Sequence, residues 1–153
     1  KLREVFEDDH YDPTNEPNIS YPYLFSYIKG EEWRTQKLTQ ELLKKYFKNS
    51  PDGLPGNDDT GTMSTWAVFS MIGFYPDNAT EPSYTFTTPT FDKVTLNLDQ
   101  KYYPKGKLTV EVVRSNENAQ LIDKIMIDGK RHNGYRIDHN KLSTAGEIVI
   151  HLK

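Results

Sequence analysis

The hydrophobic period of this chain changes after about residue 84. Upstream, apolar residues recur at spacings of three and four; downstream they alternate. EEWRTQKLTQELLKKYF (31–47) places Leu38, Leu42, Leu43, Tyr46 and Phe47 on one stripe, the pattern of an amphipathic helix. Ser50-Pro51 and Asp52-Gly53 end it. PYLFSYIKG (22–30) reads as a shorter, aromatic-rich helix with Gly30 past its end. TMSTWAVFSMIGFYP (62–76) is apolar on nearly every face from Met63 to Phe74, with Gly73 and Pro76 closing it. A helix that is apolar all round is a buried one. It is expected to dimerise or to lie under the chain's own strands. Beyond it, YTFTT (84–88), KVTLNL (93–98), KLTVEVV (107–113), DKIMI (123–127) and EIVIHL (147–152) alternate as half-buried strands do. Asp128-Gly129 signals a hairpin turn. The Pro-dotted stretch 76–90 reads as a linker. The expected class is α+β: a helical part over residues 1–80, then an antiparallel β region over 81–153 forming a small sheet or sandwich.

Composition removes several function classes. The chain of 153 residues has no Cys, which excludes a disulfide scaffold, a thiol nucleophile and Cys-ligated zinc. Ten Tyr and seven Phe separate it from disordered tails, which are poor in aromatics. No apolar run approaches the ~18 residues of a membrane-spanning helix, so no membrane role is expected. Net charge is −3, with acids in excess before residue 90 and bases in excess after it. No Arg/Lys stripe forms, so nucleic acid is not expected as a partner. The opening KLREVFEDD lacks an initiator Met and is charged and helix-compatible, which suggests the C-terminal piece of something larger.

Two loops concentrate groups that neither a helix stripe nor a strand requires. HYDPTNEPN (10–18) precedes the aromatic helix, and DGLPGNDDTG (52–61) precedes the buried one. A helix start offers free N–H groups and a positive dipole end to such carboxylates and amides. In the first loop, Asn15 or Asn18 could cap a helix with Glu16 in its first turn. Alternatively, Asn15 and Glu16 are hard oxygen ligands for Ca²⁺ or for sugar hydroxyls. An EF-hand does not fit, because the acid spacing and the required Gly are missing. In the second loop, Gly53, Pro55, Gly56 and Gly61 bend the backbone while Asn57, Asp58 and Asp59 project from its tip. That arrangement suits either a cap or a general base. His10 sits beside the first loop, whereas His132, His139 and His151 lie among the strands and read as surface residues.

TNEPNISYPYLFSYIKGEEWRTQ (14–36) followed by SPDGLPGNDDTGTMSTWAVFSMIGFYP (50–76) resembles the C-terminal part of glycoside hydrolase family 92. The likeness continues through TPTFDKVTLNL (88–98). It is close over residues 10–98 and looser over the remaining strands. The family comprises Ca²⁺-dependent, inverting exo-α-mannosidases of bacteria. The resemblance implies that this chain supplies the last helices of an (α/α)₆ barrel, then terminal strands. It implies Asp59 as general base, Asn57 as a water-positioning residue where some members carry Asp, and Asp58 as the next candidate for the base. It implies Asn15 and the Thr14 carbonyl as Ca²⁺ ligands, and Glu16 and His10 as contacts to sugar. An acid elsewhere would protonate the leaving oxygen while the base activates water, the two carboxyls standing roughly 6.5–9.5 Å apart.

Departures from the family pattern bear on specificity. Asn18, Ile19 and Ser20 stand where many members have Ser-His-His, and Tyr11 follows His10 where α-1,2-specific members tend to have an acid. The family's general acid lies in sequence upstream of residue 1, so this chain alone is expected to be inactive. The implied substrate is a mannose-rich glycan with α-1,2 linkages, and the implied partner is the N-terminal part of the same polypeptide, with a homodimer as a further expectation. Two other readings remain: a non-catalytic carbohydrate-binding or structural β module, and a mannosyl-phosphodiester-cleaving relative of the family.

Overall fold

A computed structural model of the chain describes residues 1–153. In chain order the elements begin with α1 (Leu2–Glu7), a 3₁₀ helix (Glu16–Tyr27), α2 (Glu32–Tyr46) and α3 (Thr62–Ile72). Strands β1 (Phe74–Tyr75), β2 (Ser83–Phe86), β3 (Lys93–Asn97) and β4 (Lys107–Arg114) follow. The chain ends with β5 (Ile122–Ile127), β6 (Lys130–His132), β7 (Arg136–Asp138), α4 (His139–Thr144) and β8 (Glu147–Leu152). No helix is long and apolar enough to cross a membrane.

The aromatic helix expected over 22–30 is present, but it begins earlier and is not an α-helix. It is a 12-residue 3₁₀ helix that starts at Glu16. Pro17 and Pro22 each lack the N–H that an i→i−4 ladder needs, and the tighter coil accommodates them. α2 matches its stripe in position but not in chemistry. The face it buries is Thr35, Gln36, Thr39, Leu42 and Leu43, and its polar members are all bonded. Thr35 donates to the Pro22 carbonyl at 2.8 Å, Thr39 donates to the Thr35 carbonyl at 2.9 Å, and Gln36 Oε1 accepts from the Ile122 amide at 2.8 Å. Those bonds weld α2 to both the 3₁₀ helix and the large sheet.

Strands β3-β4-β8-β5-β6 form one sheet and β1-β2-β7 another. The large sheet is mixed rather than antiparallel, because β8 enters between β4 and β5 and runs parallel to β4, with Thr109 opposite Glu147. The expected linker 76–90 is corrected as well. Its second half holds β2, the strand expected at 84–88, which pairs with both β1 and β7, and Thr85, Phe86, Thr87 and Thr88 are buried. The Asp128-Gly129 turn is as expected: both residues have positive φ and join Ile127 to Lys130 in register.

Two apolar cores result. One lies between the sheets and takes Phe74, Phe86 and Ile137 from the small sheet and Val110, Ile125, Ile148 and Ile150 from the large one. The other gathers Tyr11, Ile19, Tyr23, Leu42, Leu43, Met63, Trp66 and Ala67 among the helices. α3 bridges them, with Trp66 in the helical core and Phe69 and Ile72 packed on the sheet core. The chain thus covers most of this helix with its own elements. Val68 remains open, 51% exposed, in an apolar groove of about 700 Å³ between α2 and α3 that Leu54 and Phe91 also line.

Candidate active site

Two buried hydrogen bonds fix where the polar loops stand. The Trp66 indole N–H donates to the Ile19 carbonyl at 2.9 Å, and the Tyr23 hydroxyl meets the Ser70 hydroxyl at 2.7 Å. Both pairs are separated by 47 residues, and each partner advances by four from the first bond to the second. The 3₁₀ helix and α3 therefore run side by side in the same direction. The loops that precede them emerge at the same end. They touch there: a Cβ added to Gly56 would lie 2.9 Å from Thr14 Cβ, so the close approach requires glycine.

The first loop is closed on itself by Asp12. Its Oδ1 accepts from the Thr14 amide at 2.9 Å and the Thr14 hydroxyl at 2.7 Å, and its carbonyl accepts from the Asn18 side chain at 2.9 Å. The two Thr14 donors hold the exposed Asp12 carboxyl below the usual carboxylate value. Asn15 occupies the position before the 3₁₀ helix, with φ −96° and ψ 109°, yet its side chain makes no cap bond. Its own carbonyl accepts from the Asn18 amide at 2.9 Å, whereas the Thr14 carbonyl takes no intrachain partner. An uncommitted amide oxygen and an uncommitted carbonyl thus stand on adjacent residues. Glu16 is exposed in the first turn of the 3₁₀ helix. Burial raises the Tyr75 phenol above its ordinary value, and the charges of Asp77 and Glu16 add to that.

The second loop divides its two acids. Asp58 is bonded to α3 through both carboxylate oxygens: Oδ1 accepts from the Ser64 amide at 2.7 Å, and Oδ2 from the Ser64 hydroxyl at 2.9 Å. Its backbone carbonyl accepts from the amides of Gly61 and Met63 at 3.1 and 3.2 Å. Asp59 is half-buried, and its carboxylate accepts no hydrogen bond from the chain. Asn57 Oδ1 accepts from the Asp59 amide at 3.3 Å, which leaves the Asn57 amino group free. Asp59, Thr60 and Gly61 have φ of 45°, 63° and 93°, a run of left-handed residues that reverses the chain into the helix.

The other sequence-level candidates separate. His10 is exposed beyond α1 and its ring makes no hydrogen bond. The Tyr11 ring, 7% exposed, stacks on Phe6 at 5.0 Å as part of the helical core. A cavity of about 440 Å³ lies between the first loop and the end of α2, lined by Tyr11, Thr14, Lys45, Lys48, Asp52 and Pro55 among others. Asn15, Glu16, Asn57 and Asp59 stand outside it.

No three His, Cys, Asp or Glu side chains converge to hold a metal. The free donors of the first loop are neutral oxygens, the type that hard cations such as Ca²⁺ accept, and fewer than the roughly 6–8 ligands Ca²⁺ takes.

Sequence reasoning missed two groups. Ser64 carried no signal, because a six-residue separation from Asp58 matches no capping pattern. Asp77, with a side chain 1% exposed, accepts from Thr85 at 2.8 Å and Arg136 at 3.2 Å. Arg136 also donates to Ser83 at 2.8 Å and lies 4.5 Å over the Tyr27 ring, joining the small sheet to the 3₁₀ helix.

Comparison with known proteins places this arrangement. The glycosyl hydrolase family 92 catalytic domain matches residues 1–153, and the chain belongs to that family. It is 28% identical over 141 residues to an uncharacterized secreted glycosidase of Arthroderma benhamiae, covering 90% of this chain and 18% of that one. The fold superposes on a family GH92 alpha-mannosidase from Bacteroides thetaiotaomicron with TM-score 0.84 and 24% identity, over 99% of this chain and 20% of that one. An inverting family GH92 mannosidase of the same organism shows 30% identity and TM-score 0.77, over 92% of this chain and 18% of that one. The chain thus spans about a fifth of the length of these relatives.

Proposed function

We propose that this chain is the C-terminal part of an exo-acting, inverting α-mannosidase, acting on α-1,2-linked mannose at the ends of mannose-rich glycans. In this reading residues 1–80 are the last helices of an (α/α)₆ barrel and residues 81–153 its terminal β region. The observation that carries it is the pairing of two loops at one end of the molecule. One presents the unbonded carboxylate of Asp59, and the other the unbonded oxygens of Thr14 and Asn15.

The chemistry follows from what each group is free to do. Asp59 accepts a proton from water as that water attacks the anomeric carbon. The free amino group of Asn57 donates to that water and orients it. Glu16 and His10 bond to sugar hydroxyls. Thr14 and Asn15 hold Ca²⁺, which when bound orders the mannose hydroxyls and favours distortion of the ring. The general acid comes from elsewhere in the polypeptide, so residues 1–153 alone are inactive. The apolar groove at Val68 is covered by the remainder of that polypeptide.

The test is mannose release by the intact enzyme across a Ca²⁺ titration. Asp59→Asn keeps the shape and removes the base, and should slow turnover by about 10²–10⁴-fold at saturating Ca²⁺. Asn15→Ala should instead raise the Ca²⁺ needed, with partial rescue by excess metal. Asn57→Ala should fall between. Near-full turnover of Asp59→Asn would refute the assignment.

A further inference from the structure

Asp58 and Asp59 are adjacent acids with opposite surroundings. Both Asp58 carboxylate oxygens are engaged by one residue, Ser64, through its amide and its hydroxyl at 2.7 and 2.9 Å. Its carbonyl closes the 58–61 turn by accepting from Gly61 and also accepts from Met63. Protonating Asp58 would weaken the bonds that hold it to α3, because a neutral carboxyl is a poorer acceptor than a carboxylate. The same bonds determine where Asp59 stands. The 58–61 turn has positive φ at both central residues, the geometry of a type I′ turn, and it directs successive side chains apart. The Asp59 carbonyl is fixed in turn by the Thr62 hydroxyl at 2.8 Å. The peptide planes on either side of Asp59 are therefore set from α3, while its carboxylate remains unbonded.

We infer that Asp58, locked by Ser64, is a positioning residue that aims the Asp59 carboxylate at the water it deprotonates, and is not itself a proton acceptor. This rests on the reading of Asp59 as general base. The Asp58–Ser64 clamp fixes the turn, and the turn fixes Asp59. Misplacing a catalytic group by about 1 Å can cost on the order of 10²-fold in rate. An amide in place of the Asp58 carboxyl preserves the clamp, since its oxygen can accept from the Ser64 amide and its amino group can donate to the Ser64 hydroxyl.

The experiment measures kcat, KM and the pH–rate profile of the intact enzyme on an α-linked mannose disaccharide at saturating Ca²⁺. The variants are Asp58→Asn, Asp58→Ala, Ser64→Ala and Asp59→Asn, each checked for folding by near-UV circular dichroism. Asp58→Asn should retain most of its turnover and an unmoved pH profile. Asp58→Ala should lose up to about 10²-fold in kcat with KM nearly unchanged, and Ser64→Ala should lose less in the same direction. If Asp58→Ala fails to fold, Ser64→Ala, which deletes a single hydroxyl, carries the test. Loss of turnover in Asp58→Asn together with the acidic limb of the profile would overturn the inference, because Asp58 would then be titrating. Wild-type kcat in a folded Ser64→Ala and a folded Asp58→Ala would overturn it too, because the clamp would be idle. Full turnover in Asp59→Asn would instead refute the base assignment, whatever the Asp58 series gave.

Discussion

The indole N–H of Trp66 donates to the carbonyl of Ile19 across the helical core, at 2.9 Å and with both residues buried. This bond sets the 3₁₀ helix against α3 at their N-terminal ends, where the two polar loops meet. The Phe47 ring stacks on the same indole at 5.5 Å, so α2 is held to the joint as well.

Trp66→Phe keeps an aromatic ring in the core but removes the donor. The Ile19 carbonyl is then left buried without a partner, which costs about 1–3 kcal/mol. The urea midpoint should fall accordingly. Tyr23→Phe, which breaks the other rung, should fall less, by about 0.5–1.5 kcal/mol. Equal midpoints for Trp66→Phe and wild type would mean that the rung does not hold the two helices in place.

Gly56 marks the contact between the loops themselves. Its substitution by Ala puts a methyl 2.9 Å from Thr14 Cβ and 3.1 Å from Thr14 Cγ2, and neither atom is at the far end of a flexible chain. Overpacking of this kind costs roughly 1–3 kcal/mol. Thr14→Gly removes the obstacle, so the double variant should recover more stability than the two single effects predict by addition. Strict additivity in that double-mutant cycle would show that the loops do not touch.

Much of this architecture was written in local pattern. β5 and β8 bury alternate residues and β3 half-buries alternate ones, so alternation marks them directly, whereas β2 and β4 bury adjacent residues because they are covered on both faces along part of their length. β1, β6 and β7, with two or three residues apiece, are too short to alternate visibly. The parallel pairing of β8 with β4 was hidden because a strand's sequence does not encode the direction of its neighbour. The stretch 76–90 looked like a linker because its prolines and threonines resemble solvent-facing residues. Thr85, Thr87 and Thr88 are in fact buried, and Asp77 finds its cation 59 residues away in Arg136. In the site, the motif loops were legible through their concentration of Gly, Asn and Asp. Which of Asp58 and Asp59 is free was not, because that depends on Ser64 and on the sign of φ at two residues.

His132 makes stability depend on pH. Its Nε2–H donates to the Arg136 carbonyl at 2.7 Å and its Nδ1 accepts from the Lys141 ammonium at 3.0 Å, an arrangement that requires the neutral ring. Burial, opposed by the Arg136 bond and aided by Lys141, lowers its pKa below the ordinary 6.5. A folded-state pKa below the unfolded one means that the unfolded chain binds the proton more readily. The contribution is therefore complete above about pH 6.5 and is lost as pH falls through the folded value. His151 is displaced in the same direction, chiefly by burial, and adds to the trend. Urea midpoints should drop from pH 7 to pH 5, and His132→Gln should flatten that slope. An unchanged slope in the variant would assign the effect to other groups.

Thr60 carries the clearest backbone strain in the chain. It is β-branched and exposed, and it sits at φ 63°, a conformation that costs L-residues about 1–2 kcal/mol and is least tolerated by branched side chains. Asn adopts left-handed geometry readily because its side chain can bond locally. Thr60→Asn should therefore stabilise the protein by about 1 kcal/mol, a rise of roughly 2–4 °C in melting temperature for a chain of this size. The turn itself is kept, so the position of Asp59 and the turnover that depends on it should be kept as well. Thr60→Pro is the contrasting case. Its ring fixes φ near −65°, which the 58–61 turn cannot accept, and it should destabilise the start of α3. Calorimetric scans of the two variants beside wild type give the answer, and a lower melting temperature for Thr60→Asn would show that this turn stores no strain.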